Sequence, residues 1–218
     1  MIINFNNIKI QTSPNVYTPA EDTFFLEDII RELSNTDLQG ANLKAIAEMG
    51  CGSGYITILL LELFRESFLY SIDKNNFALA LTLENLELNG LDRNKIQIIN
   101  SDLFSEIKKL SFDLIIFNPP YLPPESSLNS LDTDDIIKIS WEGGNKIIKD
   151  FLDSCQHFLN ENGHVILLLS NYQVKNNSPE TYINKINPSF RVKKIFKKKL
   201  YLETLYGVFL TKPVTNIE

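Results

Sequence analysis

Cysteine and histidine are scarce in this chain. Among its 218 residues are two cysteines, Cys51 and Cys155, and two histidines, His157 and His164. That is too few for a disulfide framework, and no spacing suits a zinc site, so secretion and structural metal are both disfavoured. Long apolar runs are also missing, since none approaches the ~20 residues that cross a bilayer. The opening MIINFNNIKIQTSPN lacks the charged-then-apolar order of a signal peptide, and a soluble, cytoplasmic protein is expected. Positive charge is in deficit, with 21 Lys and Arg against 27 Asp and Glu, a net charge of -6. Such a surface repels phosphate backbones, which counts against an unaided nucleic-acid or membrane binder. No repeat or linker divides the chain, and its length with 44% hydrophobic content fits a single domain over residues 1–218.

What is present is alternation. TPAEDTFFLEDIIREL predicts a helix over about Pro19 to Leu33, with Thr18 as cap, Pro19 in the first helical position and Glu21 closing a capping box. LKAIAEMG is a short apolar strand running into glycines, and YITILLLELF continues as a helix. FLYSID repeats the strand signal, and NNFALALTLENLELNG spaces Leu79, Leu83 and Leu86 along a helix stopped at Gly90. KIQIINSD and FDLIIFN are further strands, NKIIKDFLDSCQHFLN a helix, and HVILLLS a strand apolar on both faces. Strands alternating with helices imply an α/β fold with a mostly parallel, doubly wound sheet. The last two runs, SFRVKKIFKKK and ETLYGVFLTK, leave no room for a helix between them and predict a C-terminal antiparallel hairpin.

The chemistry sits at strand ends. EMGCGSG puts Gly50, Gly52 and Gly54 on the turn leaving the first core strand, where absent side chains let a ligand approach backbone N–H groups at a helix start. The spacing is not the dinucleotide G-x-G-x-x-G, and Glu48 places a carboxylate where a pyrophosphate would be repelled, so a cationic or neutral ligand fits better. Asp73 ends the second strand about 20 residues later, the distance at which a carboxylate accepts ribose hydroxyls. Asp102 ends the third strand, in reach of an adenine amino group. Each acid alone reads as a turn or cap residue; the set, with Asn118 on a fourth strand end, reads as a site.

This set resembles the class I S-adenosylmethionine-dependent methyltransferases over roughly residues 44 to 211, after an extension of residues 1 to 43. The resemblance implies their Rossmann-like fold and their cofactor, with Glu48 and the Gly50 to Gly54 turn on the methionine portion, Asp73 on the ribose, and Asp102 with the Leu103 backbone on the adenine. Cys51 is then a small turn filler.

FNPPYLPP completes the pattern. Asn118-Pro119-Pro120 offers acceptors on a frame that lacks N–H donors, suited to an NH2 group: Asn118 Oδ1 takes one hydrogen and the Pro119 carbonyl the other, while Tyr121 covers a planar π-system. These bonds strengthen as the nitrogen becomes positive, so they favour the transition state, and no histidine base is required. Asn-Pro-Pro-Tyr resembles the motif of amino-group methyltransferases, which act on protein glutamine amides or on exocyclic amines of adenine and cytosine. The motif itself does not choose between them.

VYTPAEDTFFLED, residues 16 to 28, resembles the segment before the cofactor fold in HemK-type protein glutamine methyltransferases. Residues 1 to 43 are too short for the helical domain of bacterial members, so the likeness is to the archaeal and eukaryotic branch. It implies methylation of the glutamine in the Gly-Gly-Gln loop of a class I translation termination factor, cofactor contact by Thr23, and a heterodimer with a small zinc-binding activator on a sheet edge. KIQIIN is an edge-strand candidate for that activator. SWEGGNKIIKDFL resembles the family's Trp-x-Gly-Gly segment, without the further glycine that often follows; Trp141 is either a core aromatic or a substrate contact. The alternative acceptor is adenine N6 in RNA or DNA, for which RVKKIFKKK offers a basic strand that reads equally as edge protection.

Overall fold

A computed structural model of the chain describes residues 1–120, 133–201 and 203–212, with the side chains of residues 133–143 also left aside. In chain order the elements are β1 (Ile2–Phe5), β2 (Ile8–Gln11), α1 (Glu21–Ser34), β3 (Ala45–Met49), α2 (Tyr55–Leu63), β4 (Phe68–Asp73) and α3 (Asn76–Leu88). They continue with β5 (Ile96–Asn100), β6 (Phe112–Phe117), α4 (Thr133–Cys155), β7 (Leu159–Ser170), α5 (Asn171–Val174), α6 (Pro179–Ile186), β8 (Arg191–Lys199) and β9 (Thr204–Thr211). The main sheet has seven strands in the order β5-β4-β3-β6-β7-β9-β8. Pairing is parallel from β5 to β7 and antiparallel through β9 and β8.

The C-terminal hairpin and the doubly wound core therefore match the expectation. The order reverses between β3 and β6, and the carboxyl ends of these two strands flank the crevice where ligands bind in open α/β sheets. Ile46, Leu114 and Ile116 face a cluster built with α1 and α2, while Ala47, Ile115 and Val165 face a second one with α4 and α6. Leu114, Ile115, Ile116, Ile166 and Leu167 are fully buried, each stabilising by about 1.5–3 kcal/mol, which is why these strands read as continuous apolar runs.

The N-terminal extension is woven into this core. Asn6 and Asn7, at φ 48 and 70°, make the two-residue turn of the β1–β2 hairpin, a conformation that asparagine tolerates. The fully buried Asn85 of α3 accepts from the Gln11 amide at 2.7 Å and donates to the Gln11 carbonyl at 3.0 Å and the Ser53 carbonyl at 2.9 Å. One amide thus ties β2, α3 and the glycine turn together. Gly90, at φ +67°, ends α3 as expected, its amide reaching the Glu87 carbonyl and that of Leu91 the Leu86 carbonyl in a Schellman arrangement.

Three local expectations are corrected. Helix α1 starts at Glu21 with Ala20, not Thr18, as the cap residue, and the Thr23 hydroxyl rather than Glu21 takes the Ala20 amide, at 3.4 Å. Thr18 and Pro19, expected as the cap and the first helical position, both precede the helix, whose cap amide is met by Thr23 instead. The helix predicted over 145–160 is part of the longer α4, which stops at Cys155, because turns at His157 and Phe158 lead into β7, itself begun at Leu159.

Candidate active site

The glycine turn after β3 is stitched to the end of β4. Gly50 N and Cys51 N both donate to the Ile72 carbonyl, at 2.7 and 3.2 Å, and Gly52 N donates to Asp73 Oδ2 at 3.0 Å. All three glycines have positive φ, 71, 54 and 81° for Gly50, Gly52 and Gly54. Gly54 also has no room for a side chain: a Cβ there would lie 2.9 Å from Thr82 Cγ2 and 3.0 Å from Thr82 Cα. A Cβ on Gly50 would make ordinary contact with the Phe117 ring at 3.5 Å and the Asn118 carbonyl oxygen at 3.9 Å. The turn and the end of β6 are thus neighbours.

Glu48 lies under this turn, 5% exposed, hydrogen-bonded to Thr57, whose hydroxyl also sits 2.9 Å from that of Ser71. Burial pushes its carboxyl up to about 8, the Thr57 bond opposes this and the nearby Asp73 charge adds to it. Without a cation beside it, the group is protonated at neutral pH. Cys51 is buried beside Thr82 and its thiol is pushed well up by burial and then by the charges of Glu48 and Asp73, so it is no nucleophile.

Asp73 is half-buried at the end of β4; besides Gly52 N it accepts Asn75 N at 2.9 Å. Asp102 is exposed past β5, 3.7 Å from Lys74 Nζ. Leu103 follows with φ 50°, its carbonyl accepting from the Ser101 hydroxyl at 2.8 Å. Such a pose is costly for leucine.

Asn118 ends β6 half-buried, followed by the buried Pro119 and the exposed Pro120. Its Nδ2 donates to Asp22 Oδ2 at 2.8 Å, while its Oδ1 is buried with no hydrogen-bond partner among the described residues. An orphaned buried acceptor is expensive unless a ligand supplies the donor. Thr23 is buried beside Asp22, to which its hydroxyl donates at 3.4 Å. Tyr121, Pro123 and Pro124 lie outside the described residues, as does the side chain of Trp141. The structure therefore brings Thr23, Glu48, Gly50, Gly52, Gly54, Asp73, Asp102, Leu103, Asn118, Pro119 and Pro120 to the carboxyl-end rim of the sheet.

Two rim residues escaped the sequence reading. Asp22 looked like a first-turn helix acid, and its link to Asn118 spans 96 positions. Glu203 precedes β9 next to Ser170, whose partner across the β7–β9 ladder is Leu205. Its Oε1 is buried without a partner among the described residues, and burial, joined by the Asp22 charge, pushes its carboxyl up against the Ser170 hydrogen bond. The histidines play no part here: His157 is in the turn after α4, and His164 lies mid-strand on β7 against Phe209.

The set fits a methyl-donor cofactor bearing a cation. Glycines clear the backbone, a buried acid awaits a positive charge, and carboxylates stand at the next two strand ends. Comparison with known proteins agrees. Residues 7–199 match the family model described as methyltransferase small domain. A Methanocaldococcus jannaschii protein, named as a candidate protein N5-glutamine methyltransferase, is 31% identical over 94% of this chain and 96% of its own length. The mouse protein named methyltransferase HEMK2 is 33% identical over 76% of this chain and 75% of its own. In fold, M. jannaschii TYW2, solved in complex with AdoMet, superposes with a TM-score of 0.59 at 17% identity, covering 97% of this chain and 86% of that one.

Proposed function

The chain belongs to the methyltransferase small domain family, and we propose that it transfers a methyl group from S-adenosylmethionine to the side-chain amide nitrogen of a protein glutamine. The observation that carries this reading is the buried, donorless Oδ1 of Asn118 beside the glycine turn. When bound, the cofactor supplies an electrophilic methyl on a sulfonium. Glu48 and the Gly50 to Gly54 turn hold its methionine portion, Asp73 the ribose, and Asp102 with the Leu103 backbone the adenine; Thr23 contacts it from α1.

The chain's own contribution is placement. An amide nitrogen is a poor nucleophile because its lone pair is delocalised, and holding it in line with the methyl removes much of the entropic barrier. Asn118 Oδ1 and the Pro119 carbonyl accept its two hydrogens, bonds that strengthen as positive charge develops. The nitrogen-bound proton would become strongly acidic on methylation and pass to water, with neutral S-adenosylhomocysteine as the other product, so no strong base would be needed at this rim.

The acceptor is the glutamine of the Gly-Gly-Gln loop in a class I translation termination factor, in the cytoplasm where that factor works. Residues 16–28 support this choice, and the name of the archaeal relative supports a protein glutamine as the acceptor. A small zinc-binding activator adds a strand at β5, which closes one edge of the sheet and carries the half-buried Ile96, Ile98 and Ile99; free edges of this kind accept added strands. Among the described residues, no helix is long and apolar enough to cross a membrane.

Labelled methyl transfer to a termination factor, with and without the activator, tests the reading. Label should appear on the wild-type factor and vanish when the loop glutamine is changed to alanine. Label that persists on the alanine variant, or that moves instead to adenine in RNA, rejects the glutamine assignment.

A further inference from the structure

The amide of Asn118 can occupy its place in two nearly isosteric ways, with oxygen and nitrogen exchanged. Only one of them suits an acceptor NH2, because the oxygen must face it. The choice is made from the far end of the chain. Asp22 Oδ2 takes a hydrogen of Asn118 Nδ2 at 2.8 Å; a flipped amide would set Oδ1 against that carboxylate, acceptor against acceptor.

Asp22 is itself fixed. It is 6% exposed, and its Oδ1 accepts the Tyr17 hydroxyl at 3.0 Å and the Thr23 hydroxyl at 3.4 Å. Its place in the first turn of α1 favours negative charge. It does not serve as the cap: the cap residue is Ala20, and the carboxylate's hydrogen bonds among the described residues go to side chains, not to the helix amides.

We infer that Asp22 is a positioning residue, whose carboxylate locks the Asn118 amide with Oδ1 toward the acceptor and so selects acceptors that present N–H over those that present only oxygen. The assignment rests on the proposed amide methylation for its purpose, but not for its geometry. Among the described residues the Asp22 carboxylate is bonded to Tyr17, Thr23 and Asn118, and it acts through Asn118.

The test uses Asp22→Leu and Asp22→Asn, each alone and combined with Asn118→Ala, in the full chain. Asp22→Leu should lower kcat by about 10²-fold, as expected when a reacting group is misplaced, while cofactor affinity holds. Asp22→Asn keeps an oxygen for the Asn118 hydrogen and should recover most of the rate, which also separates the effect from misfolding. In the Asn118→Ala background Asp22→Leu should cost nothing further. A readout independent of turnover is the side-chain 15N–1H resonance pair of Asn118 in asparagine-labelled protein, identified by its loss in Asn118→Ala. One proton should be shifted strongly downfield by the carboxylate in wild type, and the shift should collapse in Asp22→Leu. An unchanged resonance in Asp22→Leu, or equal losses of rate in both backgrounds, overturns the inference. A wild-type enzyme that ignores termination factors would reject the substrate reading, and the resonance would still decide the role of Asp22.

Discussion

Glu48 and Thr57 share a hydrogen bond between β3 and α2, beside the glycine turn at the end of β3. The carboxyl is held up to about 8 by burial, against the Thr57 bond and with help from Asp73. In the unfolded chain it returns to its ordinary value of 4.5. Between these values the folded protein keeps a proton that the unfolded chain has lost.

Stability should therefore be highest, as far as Glu48 is concerned, below pH 4.5 and fall as pH rises toward 8, by up to about 1.4 kcal/mol per pH unit. Glu48→Gln should remove this slope. Urea midpoints of both proteins from pH 5 to 8 give the difference; a difference that stays constant with pH would show an ordinary Glu48.

Glu27 has the opposite sign. Burial opposes its charge, but hydrogen bonds from Tyr55, Asn6 and Arg31 outweigh that and hold it below the usual carboxylate value. Its contribution should be complete above pH 4.5 and be lost as pH falls through the lowered value. Glu27→Ala strands the Tyr55 hydroxyl and frees the Asn6 turn, and should cost about 1–3 kcal/mol at pH 7 and less in acid. Chemical denaturation at pH 7 and pH 4 reads both quantities.

Gly54→Ala should destabilise by ~2 kcal/mol or more, because alanine at φ +81° is strained and its Cβ would meet the Thr82 backbone, adding overpacking to strain. Thr82→Ala removes the contacts to Cγ2 and Oγ1 but not the one to Cα, so it should rescue only part of the loss. Melting temperatures of the two single variants and the double variant settle this, full rescue being the contrary result.

Asn118→Ala should lower turnover by about 10²–10³-fold, the usual cost of one transition-state hydrogen bond, while S-adenosylmethionine still binds. Titration calorimetry beside single-turnover methyl transfer separates the two effects. An equal loss of cofactor affinity would make Asn118 chiefly a binding residue.

Legibility in this chain follows distance along the backbone. Strands such as Leu114 to Ile116 and the helix stopped at Gly90 were readable because apolar periodicity and stop signals are written in neighbouring residues. The crevice was readable for the same reason, since the glycine turn, Asp73, Asp102 and Asn118 each mark the end of their own strand. The cap of α1 was misplaced because Thr18 supplied a local signal, whereas the conformation that won leaves Ala20 at the cap and turns Asp22 toward β6.

By itself, then, the sequence determined the order of elements, the parallel core with its closing hairpin, and the residue types offered at the strand ends. Only the tertiary structure decided that Glu48 is buried, that Glu203 joins the rim, and that Asp22 holds the amide nitrogen of Asn118. Those outcomes depend on which groups from distant segments share one dry space, where desolvation and hydrogen-bond pairing, invisible to local pattern, set charge and orientation.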